Sequence, residues 1–348
     1  MNKKYANILN EIEFERETQS SLTRDDKVLI VDGMNLFIRT FSAIPTLNEE
    51  GKHVGGLSGF LLSLASTIRM VNPTRVVVVF DGKGGSYRRK QVYSNYKEKR
   101  AITTRLNRIV GFEDIQDEQA SIKYQLYRVY NYLQNLPITT ISIDQIEADD
   151  VIAYLSSYFK NKVVILSNDR DFLQLVSDRV SVYLPTKKQM YTPDILLEET
   201  GIWCENFILY KSLLGDKSDN IKGMSGIGKK TIEKNFPMLS EKRKIDLEMF
   251  LEFCKLYDGK VKSLNNLKDN LKSFETNYQI MQLHDVDISQ SHKSNIRNLV
   301  DGDVDGIRLV ELSKLYIQDK LHSVIPNWDS WVKKNFNSLN ELRNKHAR

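Results

Sequence analysis

Three short apolar runs, each followed by acidic residues, constrain the fold of this chain more than any other feature. They are Val28-Leu29-Ile30-Val31 before Asp32, Val76-Val77-Val78-Val79-Phe80 before Asp81, and Val163-Val164-Ile165-Leu166, with Asp169 and Asp171 close behind. Each run is unbroken instead of alternating and is rich in β-branched residues, the pattern of a strand buried on both faces of a parallel sheet. Leu57 to Val71 has helical length and apolar content and is closed by Asn72-Pro73. Ile138 to Ile143 and Val180 to Leu184 are weaker strand candidates, and a helix runs from about Glu147 to Phe159. Strands alternating with helices predict an α/β fold built on a doubly wound, mostly parallel sheet.

Open parallel sheets bind ligands beyond the carboxyl ends of their strands, where Asp32, Asp81, Asp169 and Asp171 fall. More acids stand in Ile146-Glu147-Ala148-Asp149-Asp150 and in Gly215-Asp216-Lys217-Ser218-Asp219-Asn220. Taken singly, first-turn acids complement a helix dipole and the second cluster is a polar turn. Taken together, clustered carboxylates repel and call for cations. The histidines, His53, His284, His292, His322 and His346, share no ligand spacing, and Cys204 and Cys254 stand far apart. That excludes a disulfide framework and a cysteine zinc site. Oxygen-only donors suit Mg²⁺ or Mn²⁺. Two such ions about 4 Å apart can activate water and hold a scissile phosphate, which is the chemistry of phosphodiester hydrolysis.

A chain of 348 residues suits two packed units. We expect an N-terminal extension over 1–24, helical from Ile8 to Arg16, then a catalytic domain over 25–200 and a helical nucleic-acid-binding domain with a tail over 201–348. An insertion at about 86–118 has weak hydrophobic periodicity and reads as mobile. No apolar stretch is long enough to span a membrane and no secretory core follows Met1, so a cytoplasmic monomer is expected. The net charge of +5 is modest for a nucleic-acid binder, but acids that hold metal would mask a basic face.

Two segments carry the signature of such a face. Lys222 to Thr231 places Gly223, Gly226 and Gly228 ahead of Lys229 and Lys230 at a helix start, where backbone amides and lysines can clamp phosphates. In the insertion, Arg88, Arg89, Lys97, Lys99 and Arg100 alternate with Tyr87, Tyr93 and Tyr96, so that cations meet phosphates while rings stack on unpaired bases. Asp301-Gly302-Asp303-Val304-Asp305-Gly306 begins like a calcium loop, but Leu312 stands where the bidentate glutamate belongs, and a helix-capping turn is the better reading. Trp328, Trp331, Val332, Phe336, Leu339 and Leu342 have helical spacing and are expected to pack on the helical domain.

Read in order, Ile30-Val31-Asp32-Gly33-Met34-Asn35, Val79-Phe80-Asp81-Gly82, Ile146 to Asp150, Ser167 to Phe172 and Gly215 to Ile221 resemble the successive acidic motifs of the 5′-nuclease (flap endonuclease) superfamily. The resemblance runs from about Val28 to Phe236. The insertion and the tail are similar to those of the T-even phage ribonuclease H, whereas the glycine hairpin is closer to other members. The resemblance implies a PIN-like catalytic sheet, an arch over the site and a helix–three-turn–helix. It also implies a first metal site of Asp32, Asp81, Glu147, Asp149 and Asp150, and a second of Asp169, Asp171, Asp216 and Asp219. Lys97 and Arg88 would stabilise charge on the scissile phosphate, while Arg89, Tyr96, Arg100 and the Gly223 to Lys230 hairpin would hold nucleic acid, with K⁺ at the hairpin. The implied task is removal of RNA primers and 5′ flaps from DNA and RNA–DNA duplexes during phage-type replication, in company with a single-stranded-DNA-binding protein or a sliding clamp. A PIN-type ribonuclease and a non-catalytic branched-DNA-binding protein are the rival readings.

Overall fold

The computed structural model describes residues 22–98 and 105–345. The expected helix at Ile8 to Arg16, and Arg100, lie outside them.

Six strands form one sheet: β1 (Lys27–Asp32), β2 (Arg75–Asp81), β3 (Thr139–Ile143), β4 (Lys162–Leu166), β5 (Val180–Leu184) and β6 (Gln189–Tyr191), in the order β3-β2-β1-β4-β5-β6. All neighbouring pairs are parallel except β5–β6, a hairpin. Alternate residues of the apolar runs enter different cores, which is why the runs are unbroken. Val28, Ile30, Val77, Val79, Val163 and Ile165 face one side, and Leu29, Val31, Val76, Val78, Val164 and Leu166 the other.

Helices α1 (Gly33–Ala43), α2 (Gly55–Val71) and α4 (Ile115–Leu133) cover the second side. Helix α1 starts directly at the end of β1 because Gly33 lies under the Phe80 ring, where a Cβ would sit 2.6 Å from a ring carbon. Helix α5 (Ala148–Tyr158) covers the first side. Its core continues into the later helices α6 (Pro193–Thr200), α7 (Phe207–Leu214), α8 (Lys229–Asn235), α9 (Leu247–Leu256), α10 (Lys262–Asp269), α11 (Leu271–Met281) and α12 (Gln290–Asp301).

The chain then changes sides. Helices α13 (Leu309–Gln318) and α14 (Trp328–Leu342) pack on the α1–α2–α4 side, with Leu312, Tyr316, Trp328, Val332, Phe336 and Leu339 buried there. This corrects the expectation that the tail packs on the helical domain. Amphipathic spacing reports that a face is buried but not which surface buries it. Asp319 anchors the docking by accepting hydrogen bonds from Arg128 Nε and Tyr132 Oη, both at 3.0 Å.

The crossing segment contains the calcium-loop look-alike. Asp301 accepts from Tyr158 Oη at 2.8 Å and Asp305 pairs with Arg308, while the guanidinium of Arg24 donates to the carbonyls of Val300, Asp301 and Gly302. Gly302 caps the end of α12 by donating its amide to the Asn298 carbonyl, whereas Arg308 precedes α13 without a side-chain cap, so the segment caps the helix it leaves and is pinned as a crossover. Arg24, read as the end of the N-terminal extension, is buried.

The arch segment also departs from a mobile loop over its described residues. Helix α3 (Tyr87–Val92) opens it, and Tyr96, Asn107 and Phe112 are buried. Glu118 holds the far end by accepting from the amides of Leu106 and Asn107 at 3.0 and 2.7 Å.

Because α14 completes the core around β1 and β2, Phe336→Ala should destabilise the α/β unit by about 3–5 kcal/mol. Urea unfolding followed by tryptophan fluorescence checks this, and an unchanged midpoint would mean that the tail is peripheral.

Candidate functional site

Adjacent strands β2, β1 and β4 bring Asp81, Asp32 and Asp169 to one edge of the sheet. Close packing sets Asp81. A Cβ on Gly82 would lie 1.7 Å from the Ile143 carbonyl oxygen, so the chain leaves β2 hard against the end of β3. Asp81 Oδ1 there accepts from the Ala148 amide at 2.9 Å and caps α5. Asp32 accepts from the Asn35 amide at 3.0 Å and from Ser167 Oγ at 2.9 Å. Asp169 accepts from the Asp171 amide at 2.8 Å.

The acids separate into groups that the sequence does not distinguish. Asp32, Asp81, Asp149 and Asp169 line one cleft of about 420 Å³, together with Lys97. Asp149, Asp171 and Asp219 meet again at a small neighbouring cavity, with Arg89 and Tyr96. Glu147 and Asp150 are held by the arch: Arg89 pairs with both, and Lys97 pairs with Glu147. Lys211, on α7, bridges Asp171 at 2.7 Å and Asp216 at 2.8 Å.

Burial and the basic partners compete at each acid. Glu147 is buried, but Arg89 and Lys97 outweigh the burial and lower its pKa. Asp216 resists burial through Lys211 and Ser218 and is lowered to about 2. Burial raises Asp150 despite its Arg89 partner, and Asp32, Asp149 and Asp171 also go upward. Burial, then repulsion from Asp169 and Asp81, raises Asp32 to about 7. Burial and Asp169 raise Asp149 well above the carboxylate range. Burial and Asp169 raise Asp171 to about 6, although Lys211 opposes them. This edge holds more negative charge than the chain's own cations compensate.

A divalent cation would supply the difference, and the donors are all oxygens. Among the described residues, no three carboxylates, imidazoles or thiols converge closely enough to hold an ion by themselves.

The expected nucleic-acid residues fare unevenly. Lys97 lines the acid cleft. Arg88 does not reach it and pairs with Asp287 at 3.7 Å, so the structure gives it no place on a phosphate there. Arg89 and Tyr96, expected to touch nucleic acid, are committed inward. The Arg89 guanidinium is spent on Glu147, Asp150 and the Ile280 carbonyl, and Tyr96 is buried beside Ile208, Ile221 and Ile280. Their partners are distant in sequence, which is why a local reading placed them on the surface. Gly223, Gly226, Gly228, Lys229 and Lys230 line neither cavity. The glycines build a turn before α8, which Lys229 and Lys230 open; in that turn Gly226 has φ +77° and a Cβ on Gly223 would strike the Leu214 carbonyl oxygen at 2.1 Å. Arg170 turns outward to Glu199 at 3.5 Å.

Sequence reasoning missed Lys211, and it missed Asn168 and Thr186, which also line the cleft. Asn168 Oδ1 accepts from the Thr186 amide at 2.9 Å and ties the β5–β6 hairpin to the site. Asn35 stood in a quoted motif, so its neighbourhood was visible. Nothing near Lys211 or Thr186 announced a role.

The model of the 5′-3′ exonuclease N-terminal resolvase-like domain matches residues 27–201. The 5′-3′ exonuclease of Aquifex aeolicus is 31% identical over 279 residues, which cover 71% of this chain and 91% of that protein. The chain belongs to the 5′-3′ exonuclease family. The chain is also similar to the 5′-3′ exonuclease of Bacillus subtilis, at 32% identity over 75% of this chain and 84% of the relative. It shares its fold with the D15 protein of bacteriophage T5, crystallised with metal ions (TM-score 0.60, 21% identity, 84% of this chain and 98% of that one).

A pH prediction follows from Asp32. Its pKa is raised in the folded protein, so between the ordinary aspartate range and about 7 the folded state holds more protons than the unfolded one. Without divalent cation this group therefore costs stability as pH rises through that window. In EDTA, wild type should lose stability relative to Asp32→Asn between pH 5 and 7, by up to about 1.4 kcal/mol per pH unit. Parallel thermal-unfolding profiles for the two proteins would contradict this.

Proposed function

We propose that this 5′-3′ exonuclease is a two-metal phosphodiester hydrolase that works with Mg²⁺ or Mn²⁺ and leaves 5′-phosphate products. The observation that carries the reading is the cleft of Asp32, Asp81, Asp149 and Asp169, whose charge the chain leaves uncompensated. Asp32, Asp81 and Asp149 would serve one cation and Asp169, with Asp171 and Asp219, the other. When bound, such ions supply Lewis acidity toward water and neutralise charge on a phosphate. The chain's own residues do the rest. Lys97, held over the cleft by Glu147, offers an ammonium to the scissile phosphate as charge builds on it. The exposed Lys229 and Lys230 and the amides that open α8 grip duplex phosphates without regard to sequence.

We further propose that the substrates are DNA and RNA–DNA duplexes with 5′ ends or flaps, and that the task is clearing RNA primers and flaps in replication. The T5 D15 flap endonuclease, of similar fold, was crystallised with DNA and metal ions, which supports the substrate class.

Cleavage of 5′-labelled flap, nicked and RNA–DNA substrates should require Mg²⁺ or Mn²⁺ and stop in EDTA. Full activity in excess EDTA would end the metal mechanism. Lys97→Ala should slow single-turnover cleavage ~100-fold with little change in duplex affinity. A wild-type rate would remove Lys97 from catalysis.

A further inference from the structure

Beside the acid cleft lies a second pocket, of about 400 Å³, between α4 and the ends of β2 and β3. Met34, Phe80, Leu126, Tyr127 and Tyr130 give it apolar and aromatic walls, and Lys123 also lines it. Met34 and Asp81 line both this pocket and the cleft, so the two spaces adjoin.

The wall on α4 is one helical stripe. Lys123, Tyr127 and Tyr130 stand at i, i+4 and i+7, while Arg128, Val129, Tyr132 and Leu133 carry the buried face. Tyr127 and Tyr130 are 62% and 47% exposed, so the core does not explain these rings. Their place beside Asp81 suggests what would cover them. A protein partner seated there would obstruct the adjoining cleft. A strand entering the cleft would instead carry bases past the tyrosines, with Lys123 positioned for its backbone.

We propose that this pocket takes one unpaired nucleobase, next to the phosphate that enters the acid cleft, stacked on Tyr127 and Tyr130 with Lys123 meeting a neighbouring phosphate. Aromatic faces accept any base, so the site is indifferent to sequence. It discriminates by pairing state, because a base inside a duplex is already stacked and cannot enter. The pocket thereby selects frayed ends and flaps over continuous duplex. This inference rests on the nuclease reading above.

The test uses the full chain with Ca²⁺ in place of Mg²⁺, and a 5′-flap DNA carrying 2-aminopurine at the nucleotide beside the branch. Wild type should change the probe's fluorescence on binding. Tyr127→Leu combined with Tyr130→Leu should abolish that change and weaken flap binding roughly tenfold or more, leaving affinity for a fully paired blunt duplex unaltered. Tyr127→Phe with Tyr130→Phe keeps the rings and should behave as wild type. An abasic nucleotide at the probe position should lower wild-type affinity to that of the leucine variant. Lys123→Ala should reduce the salt dependence of flap binding. If the leucine variant gives the wild-type fluorescence change and affinity, or loses blunt duplex as severely as flap, the pocket is not a base site. If wild type neither binds nor cleaves any 5′-ended DNA, the nuclease reading itself falls and takes this inference with it.

Discussion

Repulsion among carboxylates at one edge of a buried parallel sheet is the interaction to which the rest of this molecule answers. The buried middles of β1, β2 and β4 are apolar, so Asp32, Asp81 and Asp169 fall at or beyond their carboxyl ends. Strand spacing then holds the acids near one another whatever their charge. Burial raises Asp32 to about 7, and repulsion from Asp169 and Asp81 adds to the rise.

Three basic side chains answer part of that charge. Arg89 on α3 and Lys97 beyond it take Glu147 and Asp150, and Lys211 on α7 takes Asp171 and Asp216. These pairs are also the joints of the structure. They fasten the arch to the start of α5 and the helical region to the end of β4. Breaking one would leave a carboxylate largely buried and alone, which costs far more than the pair itself contributes. The same side chains therefore set both the geometry of the cleft and the residual charge within it. What they leave over, at Asp32, Asp81, Asp149 and Asp169, is the part available to cations and, through them, to a phosphate.

Much of this was legible in the sequence for a physical reason. A strand buried on both faces must be apolar throughout, and an acid directly after it must sit at the sheet edge, so β1, β2, β4 and their acids could be read without partners. Helix α2 and the start of α8 were readable from apolar content and glycine placement. The failures share a cause of their own. Arg89 and Tyr96 looked like surface residues because the carboxylates and apolar groups that claim them arrive only with α5, α7 and α11. The tail showed an apolar face on α14 but nothing about which side of the sheet it would cover. The strand β6, three residues long, has no period to detect. Lys211 was invisible because a lone lysine in an apolar helix acquires meaning only from Asp171 and Asp216.

The central claim, that the uncompensated acids at the sheet edge are the catalytic machinery and not a structural cluster, is tested most directly at Asp81. Its side chain is exposed, makes no ion pair among the described residues and caps α5 through a bond that an asparagine oxygen can also accept. Asp81→Asn should therefore fold and should bind flap DNA in Ca²⁺ at least as well as wild type, since a negative charge has left the path of the phosphate. Its single-turnover cleavage in Mg²⁺ should fall by several orders of magnitude, on the scale of ~4 kcal/mol or more. Cleavage at the wild-type rate, or a joint loss of folding and binding, would contradict the account.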